Sequence, residues 1–234
     1  MIVTAHQPAY LPWLGLLHKA ALADTFVLVD TVQFEKDSFI NRNKLRTPHG
    51  WSWLTVPVSS TGHMTSTIRD LRIMQTPWAR KHWTAFRMLY GRVPFFADHA
   101  PFLEDTYGRQ WELLVDLCEH ILSYLFEAFG IRATVVRAST LSMVGRKSEF
   151  VLDLCRKTGA GTFIFGALGT QYANVDSFRE AGINIVFQDY RHPTYPQAYP
   201  GFQAGMNAFD LLMNSGPESR RILLSENLTR EALV

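Results

Sequence analysis

Two prolines, Pro8 and Pro12, stand between a short β-prone run at 2–5 and an apolar helical run that begins at Trp13. Proline fixes φ and removes a donor, so the strand must end there, and Pro12 is pre-set for a first helical position. Leu14, Leu17, Ala21 and Leu22 then recur at helical spacing. Asp24 closes that helix, and the apolar run 26–29 reads as a second strand ending at Asp30. A strand–helix–strand unit of this size is the seed of a parallel sheet.

The rest of the chain extends this pattern. Runs at 132–137, 162–165 and 184–188 read as strands, alternating with helices at 147–157 and 175–181. The middle is helical, with segments at 77–90 and 102–129 separated by Pro94 and Pro101, and Gly130 is placed to cap the second. A further strand is expected at 52–58, with Pro57 marking an edge or an end. The reading is α/β: a mostly parallel sheet flanked by helices. It forms a single domain over 1–234, with a helical subdomain at about 77–130. Beyond Gly216 the pattern does not choose between a helix and a frayed end.

Composition removes several function classes. Of 234 residues, 47% are hydrophobic and 19% charged, so the chain can bury a core and is not a disordered one. The formal net charge of +2 gives no electrostatic case for a nucleic-acid binder. The 2 cysteines, Cys118 and Cys155, lack metal-ligand spacing, and no HExxH or carboxylate cluster is visible, so neither a metal nor another cofactor is expected. No P-loop, no GxGxxG after a strand and no GxSxG elbow occurs. The first residues lack a secretory pattern, and Lys19, Asp24 and Asp30 interrupt the best membrane-span candidate. A cytoplasmic protein without membrane insertion is expected.

Three segments carry candidate chemistry. In HQPAYLPWLG, His6 and Gln7 emerge at the carboxyl end of the first strand, where open α/β sheets bind ligands, and Tyr10 and Trp13 could wall the same pocket. The bland reading is a stiff turn whose histidine caps backbone. In DTVQFEKDSFINRNK, Asp30 ends the second strand, and Gln33, Lys36, Asn41, Arg42 and Asn43 follow in a short loop. Planar amides and cations at this density suit carboxylate, phosphate or sugar hydroxyls. A solvated loop is the alternative, but Phe34, Phe39 and Ile40 interleave with the polar groups. In YRHPTYPQAY, His192, Tyr195 and Gln197 sit on a stiff aromatic loop suited to stacking a sugar or base, or serving only as a crossover. GALG at 166–169 reads as a plain turn ahead of an anion site, and His82, His99 and His120 as structural histidines.

Together HQPxYLPWLG, VLVDxVQFxK, NRN, WLTVPV and HPxYxQ closely resemble the WbqC-like family, from the N-terminus to about Gly216. The motif residues include His6, Gln7, Tyr10, Trp13, Asp30, Gln33, Lys36, Asn41, Arg42, Asn43, His192, Tyr195 and Gln197. The chain departs from the pattern at GALGTQY, where relatives tend to carry a serine-rich turn. The resemblance implies a bacterial protein of surface-polysaccharide or natural-product assembly, in a family described as glycine or acyl transferases acting on glycans.

The first expectation is a transferase that forms an amide or ester by moving an amino-acyl or acyl group from a small-molecule donor to a sugar or similar acceptor. His6 would act as base, Asp30 would orient it or bind the acceptor, and Lys36 and Arg42 would hold an anionic donor. The alternatives are a nucleotidyltransferase-like or adenylate-forming enzyme, by analogy of fold alone, and a non-catalytic sugar- or nucleotide-binding accessory protein. His6, Asp30, Arg42 and His192 are expected to line one pocket. The oligomeric state is left open.

Overall fold

The structure is a computed structural model and describes residues 1–59 and 66–233. In chain order it contains β1 (Ile2–His6), α1 (Leu14–Leu22), β2 (Thr25–Leu28), β3 (Arg42–Thr47), β4 (Gly50–Thr55), α2 (Trp78–Tyr90), α3 (Phe96–Gly108) and α4 (Leu114–Ala128). These are followed by β5 (Thr134–Arg137), α5 (Ser148–Thr158), β6 (Thr162–Phe165), α6 (Val175–Glu180), β7 (Asn184–Phe187), α7 (Ala208–Ser215) and α8 (Ser219–Leu224). The fold is α/β.

Five strands form one sheet in the order β5-β2-β1-β6-β7, and every pairing is parallel. The chain builds outward from β1 through β2 to β5, then returns to add β6 on the opposite side of β1. The order therefore reverses between β1 and β6, the place where doubly wound sheets open a crevice at their carboxyl ends.

Side chains alternate across this sheet as a two-residue period requires. Val3, Val27, Phe163 and Phe165 pack with Leu154 and Phe178 of α5 and α6. Phe26 and Leu28 face the other way, onto α1, α4 and α7, and Phe26 meets Phe126 edge-on with centroids 5.6 Å apart. Thr4 is fully buried in the central strand, and its hydroxyl donates to the Ile164 carbonyl at 2.8 Å.

Four local expectations need correction. Residues 42–47 form a strand rather than the end of a loop, and pair antiparallel with β4 from Arg42↔Thr55 to Thr47↔Gly50. The strand expected at 52–58 leaves this ladder after Thr55; Val56 N–H then donates to the Asn41 carbonyl at 2.8 Å. The helix expected at 102–129 is broken, because 112–114 pair with the 71–73 segment: Ile73 N–H donates to Glu112 O, and Leu114 N–H to Leu71 O, both at 2.9 Å. Pro101, read as a separator, lies inside α3. Gly130 follows α4 at φ +62°, as a capping glycine does. The tail forms α8 and a short turn at Glu231–Leu233. Among the described residues no helix is long and apolar enough to cross a membrane.

Candidate functional site

The carboxyl ends of β1 and β6 open into a cleft of about 1540 Å³. His6, the last residue of β1, lines it. Its Nδ1 lies 2.8 Å from the Gln7 carbonyl oxygen. A carbonyl only accepts, so Nδ1 carries the proton and Nε2 keeps its lone pair. Among the described residues no group bonds Nε2. The Trp13 ring packs edge-on against the imidazole with centroids 5.1 Å apart. His6 is partly accessible from the cleft but deep among protein atoms. Burial first, and the nearby Lys19 charge second, pull its pKa down to about 4, against the opposing Gln7 contact. The imidazole is therefore neutral at physiological pH.

Lys19 also lines the cleft, although it is only 3% exposed. Helix α1 is buried on nearly every side, so a lysine within it has little route to solvent. Its Nζ donates to the Ala5 carbonyl at 2.8 Å. A side chain added at Gly166, just past β6, would place its Cβ 3.9 Å from that amine. The amine thus sits between the ends of the two strands that flank the order reversal. No carboxylate among the described residues forms an ion pair with it, and burial lowers its pKa to about 8.

Asp30 is fully buried, two residues past β2. Its Oδ1 accepts from Ser139 N–H at 2.9 Å and its Oδ2 from the Ser139 hydroxyl at 2.6 Å. Ser139 lines the cleft and Asp30 does not, so the carboxylate reaches the site only through this serine. Gln7, Trp13 and Gln33 are on the lining. So are the GALG turn at 166–169 and the residues leading into α5, Gly145, Arg146 and Lys147. Two further lining residues, Thr31 and Tyr190, each present a buried hydroxyl without a hydrogen-bond partner among the described residues. No group of three His, Cys, Asp or Glu side chains among the described residues is arranged to hold a metal ion.

A family model, the WbqC-like protein family, matches residues 7–222. The chain belongs to this family. It is also similar to a protein of Mycobacterium tuberculosis (strain ATCC 25618 / H37Rv) bearing the name Uncharacterized protein Rv1507c. The two are 29% identical over 215 residues, which cover 91% of this chain and 93% of that protein.

Many of the WbqC-like motif residues lie away from the cleft and tie the scaffold together. Tyr10 is buried; its hydroxyl lies 2.7 Å from His82 Nδ1 and 2.6 Å from the Tyr107 hydroxyl. The Tyr10 hydroxyl thus links the His82 ring to the Tyr107 hydroxyl inside the core. The Asn41 amide donates to the Val56 carbonyl at 2.9 Å, and the Asn43 amide donates to the Leu11 carbonyl. Arg42 donates to the Asp37 carboxylate at 2.8 Å and lies 4.3 Å from the Trp53 ring centroid. Lys36 is exposed and outside the cleft lining.

The HPxYxQ residues gather around a second buried centre. Asp210 accepts from Tyr90 at 2.7 Å, Tyr195 at 2.9 Å and Gln197 at 2.7 Å. His192 donates from Nδ1 to the Pro193 carbonyl at 2.9 Å and accepts at Nε2 from Gly205 N–H at 3.1 Å. Both ring nitrogens are thereby occupied. The expected common pocket of His6, Asp30, Arg42 and His192 is not formed: His6 lines the cleft, Asp30 stands behind Ser139, and the other two are engaged elsewhere.

Lys19, Ser139, Arg146, Lys147 and Tyr190 are cleft residues that sequence reasoning did not select. Lys19 had a usable signal. LGLLHKAAL is apolar almost all round, so the helix had to be buried and its lysine with it. Ser139 had none, because the Asp30 contact spans 109 residues.

Proposed function

We propose that the chain is an enzyme transferring an acyl or amino-acyl group onto a hydroxyl or amine of a sugar or similar small acceptor. One observation carries the reading: a neutral histidine on a cleft wall, with Nδ1 spent on the Gln7 carbonyl and Nε2 unpaired among the described residues. In this reading Nε2 takes the acceptor's proton as the acceptor oxygen or nitrogen attacks the acyl carbonyl carbon. The bond from that carbon to the leaving group then breaks, and the His6 proton passes to the departing group.

A pKa near 4 keeps Nε2 unprotonated but makes it a weak base. An anion bound beside Lys19 would cancel the second cause of that depression and strengthen the base once substrate is present. The cleft volume of about 1540 Å³ exceeds the roughly 300–1,000 Å³ of ordinary small-ligand pockets and leaves room for donor and acceptor together. Gln7, Trp13 and Gln33 offer amide and aromatic surface to the acceptor. Asp30 acts as a positioning residue through Ser139.

The test is His6→Gln, which replaces the imidazole by a non-basic amide. Donor and acceptor would first be identified by mass spectrometry of small molecules that co-purify with the protein. A folded variant should lose about 10²- to 10⁴-fold in turnover. Unchanged turnover would remove His6 from the chemistry.

A second reading, nucleotidyl transfer or adenylate formation, is favoured by one feature. The strand order reverses at β1 and β6, as in doubly wound nucleotide-binding sheets. That reaction consumes a nucleoside triphosphate and releases pyrophosphate, so pyrophosphate assay separates the two readings.

A further inference from the structure

We propose that Lys19 anchors a binding site for a phosphate-bearing ligand, of the di- or triphosphate class, in the crevice between the ends of β1 and β6. The site deepens the transfer reading and rests on it for the ligand's role as donor.

The first argument is an imbalance of charge. Taking an ammonium out of water costs several kcal/mol unless an opposite charge compensates. Lys19 is 3% exposed, and among the described residues its only hydrogen bond is to a neutral backbone carbonyl. A buried cation of this kind, on a cleft wall, is completed by an anion that enters the cleft. Gly166 lies beside the amine, since a Cβ built there would sit 3.9 Å from Nζ, at ordinary contact distance.

The second argument concerns how the charge is spread. Among the described residues the cleft is lined by the cations Lys19, Arg69, Arg146 and Lys147 and by one acid, Asp189, in a chain whose formal net charge is +2. Arg69 is already paired with Asp70 at 3.3 Å, whereas Arg146 and Lys147 form no ion pair among the described residues. A monocarboxylate would satisfy Lys19 alone. A chain of phosphates engages Lys19 in the crevice and the exposed pair at the head of α5 as well. The hydroxyls of Thr31 and Tyr190, unpartnered among the described residues, are neutral donors on the same walls. His6, being neutral, adds no charge of its own to this anion site.

The experiment is isothermal titration calorimetry with inorganic pyrophosphate, ATP and, as the monocarboxylate control, acetate. Pyrophosphate should bind the wild-type protein and acetate at the same concentration should not. Lys19→Gln should weaken pyrophosphate at least tenfold, with circular dichroism verifying the fold. The exposed double variant Arg146→Ala/Lys147→Ala, which leaves the core untouched, should weaken it severalfold. ATP binding more tightly than pyrophosphate marks a nucleotide, equal affinity a non-nucleotide diphosphate, and either supports the site. Absence of pyrophosphate binding, equal affinity for acetate, or unchanged affinity in both variants overturns the proposal and leaves the His6 reading standing. Conversely, normal turnover in a His6→Gln protein that still binds pyrophosphate overturns the His6 reading and leaves this site standing.

Discussion

The side-chain amide of Asn43 donates to the carbonyl of Leu11, whose backbone is left-handed at φ +50°. A non-glycine residue in that conformation stores about 1–2 kcal/mol and persists only where its surroundings hold it. The holders here are identifiable. Tyr10 N–H donates to the Ile40 carbonyl at 3.0 Å, and Ala208 N–H to the Pro12 carbonyl at 2.8 Å. The same turn carries His6 at one end and Trp13 at the other. The Asn43 amide of the NRN motif, which resembles a ligand-binding group in sequence, therefore acts by fixing the histidine's turn.

Asn43→Ala should lose about 1–3 kcal/mol of stability, because it leaves a buried carbonyl unsatisfied and releases a strained turn. Urea denaturation measures this. An unchanged midpoint would show that the turn holds itself.

Tyr10→Phe deletes the central hydroxyl of the Tyr107–Tyr10–His82 chain and leaves His82 Nδ1 and the Tyr107 hydroxyl without this partner. The expected result is a loss of about 1–3 kcal/mol with pyrophosphate affinity unchanged. A variant of full stability but weakened ligand binding would instead put Tyr10 at the site.

The parallel sheet was legible because its determinants are local: apolar runs of strand length, prolines at the first turn and helical spacing between them. His6 was legible for the same reason, since a strand end followed by Pro8 fixes where it emerges. The amide-rich segments were not. Nothing local distinguishes an Asn43 amide aimed at the Leu11 carbonyl from one aimed at a ligand. Gln197 likewise reads as a binding residue until Asp210 is found 2.7 Å from its amide. The helix break before α4 was hidden too, because its cause is pairing with the 71–73 segment rather than a breaker in its own sequence.

Stability should rise with pH in two separate windows. His6 and His82 have folded pKa values near 4 against an ordinary 6.5, so the unfolded chain binds more protons between those limits. Stability therefore increases from about pH 4 to 6.5, by on the order of 3 kcal/mol per histidine if the whole shift is expressed. Lys19, near 8 when folded against an ordinary 10.5, adds a second rise above pH 8. Urea titrations across pH test this. In Lys19→Gln the upper window's contribution should vanish; its persistence there would assign it to another group.

The two cleft residues are coupled, and the coupling has a sign. The Lys19 charge is the second cause of the lowered His6 pKa. Lys19→Gln should therefore move His6 up from about 4 toward its ordinary 6.5, because the neighbouring positive charge is gone. Imidazole proton resonances followed by NMR across pH read this without any substrate. Once a substrate is known, kcat/KM should be flat between about pH 4 and 8, falling below as His6 gains a proton and above as Lys19 loses one. In Lys19→Gln the alkaline limb should disappear and the acid limb should shift upward. An acid limb unmoved by that substitution would mean that the group titrating there does not feel Lys19, and would separate His6 from the step the profile reports.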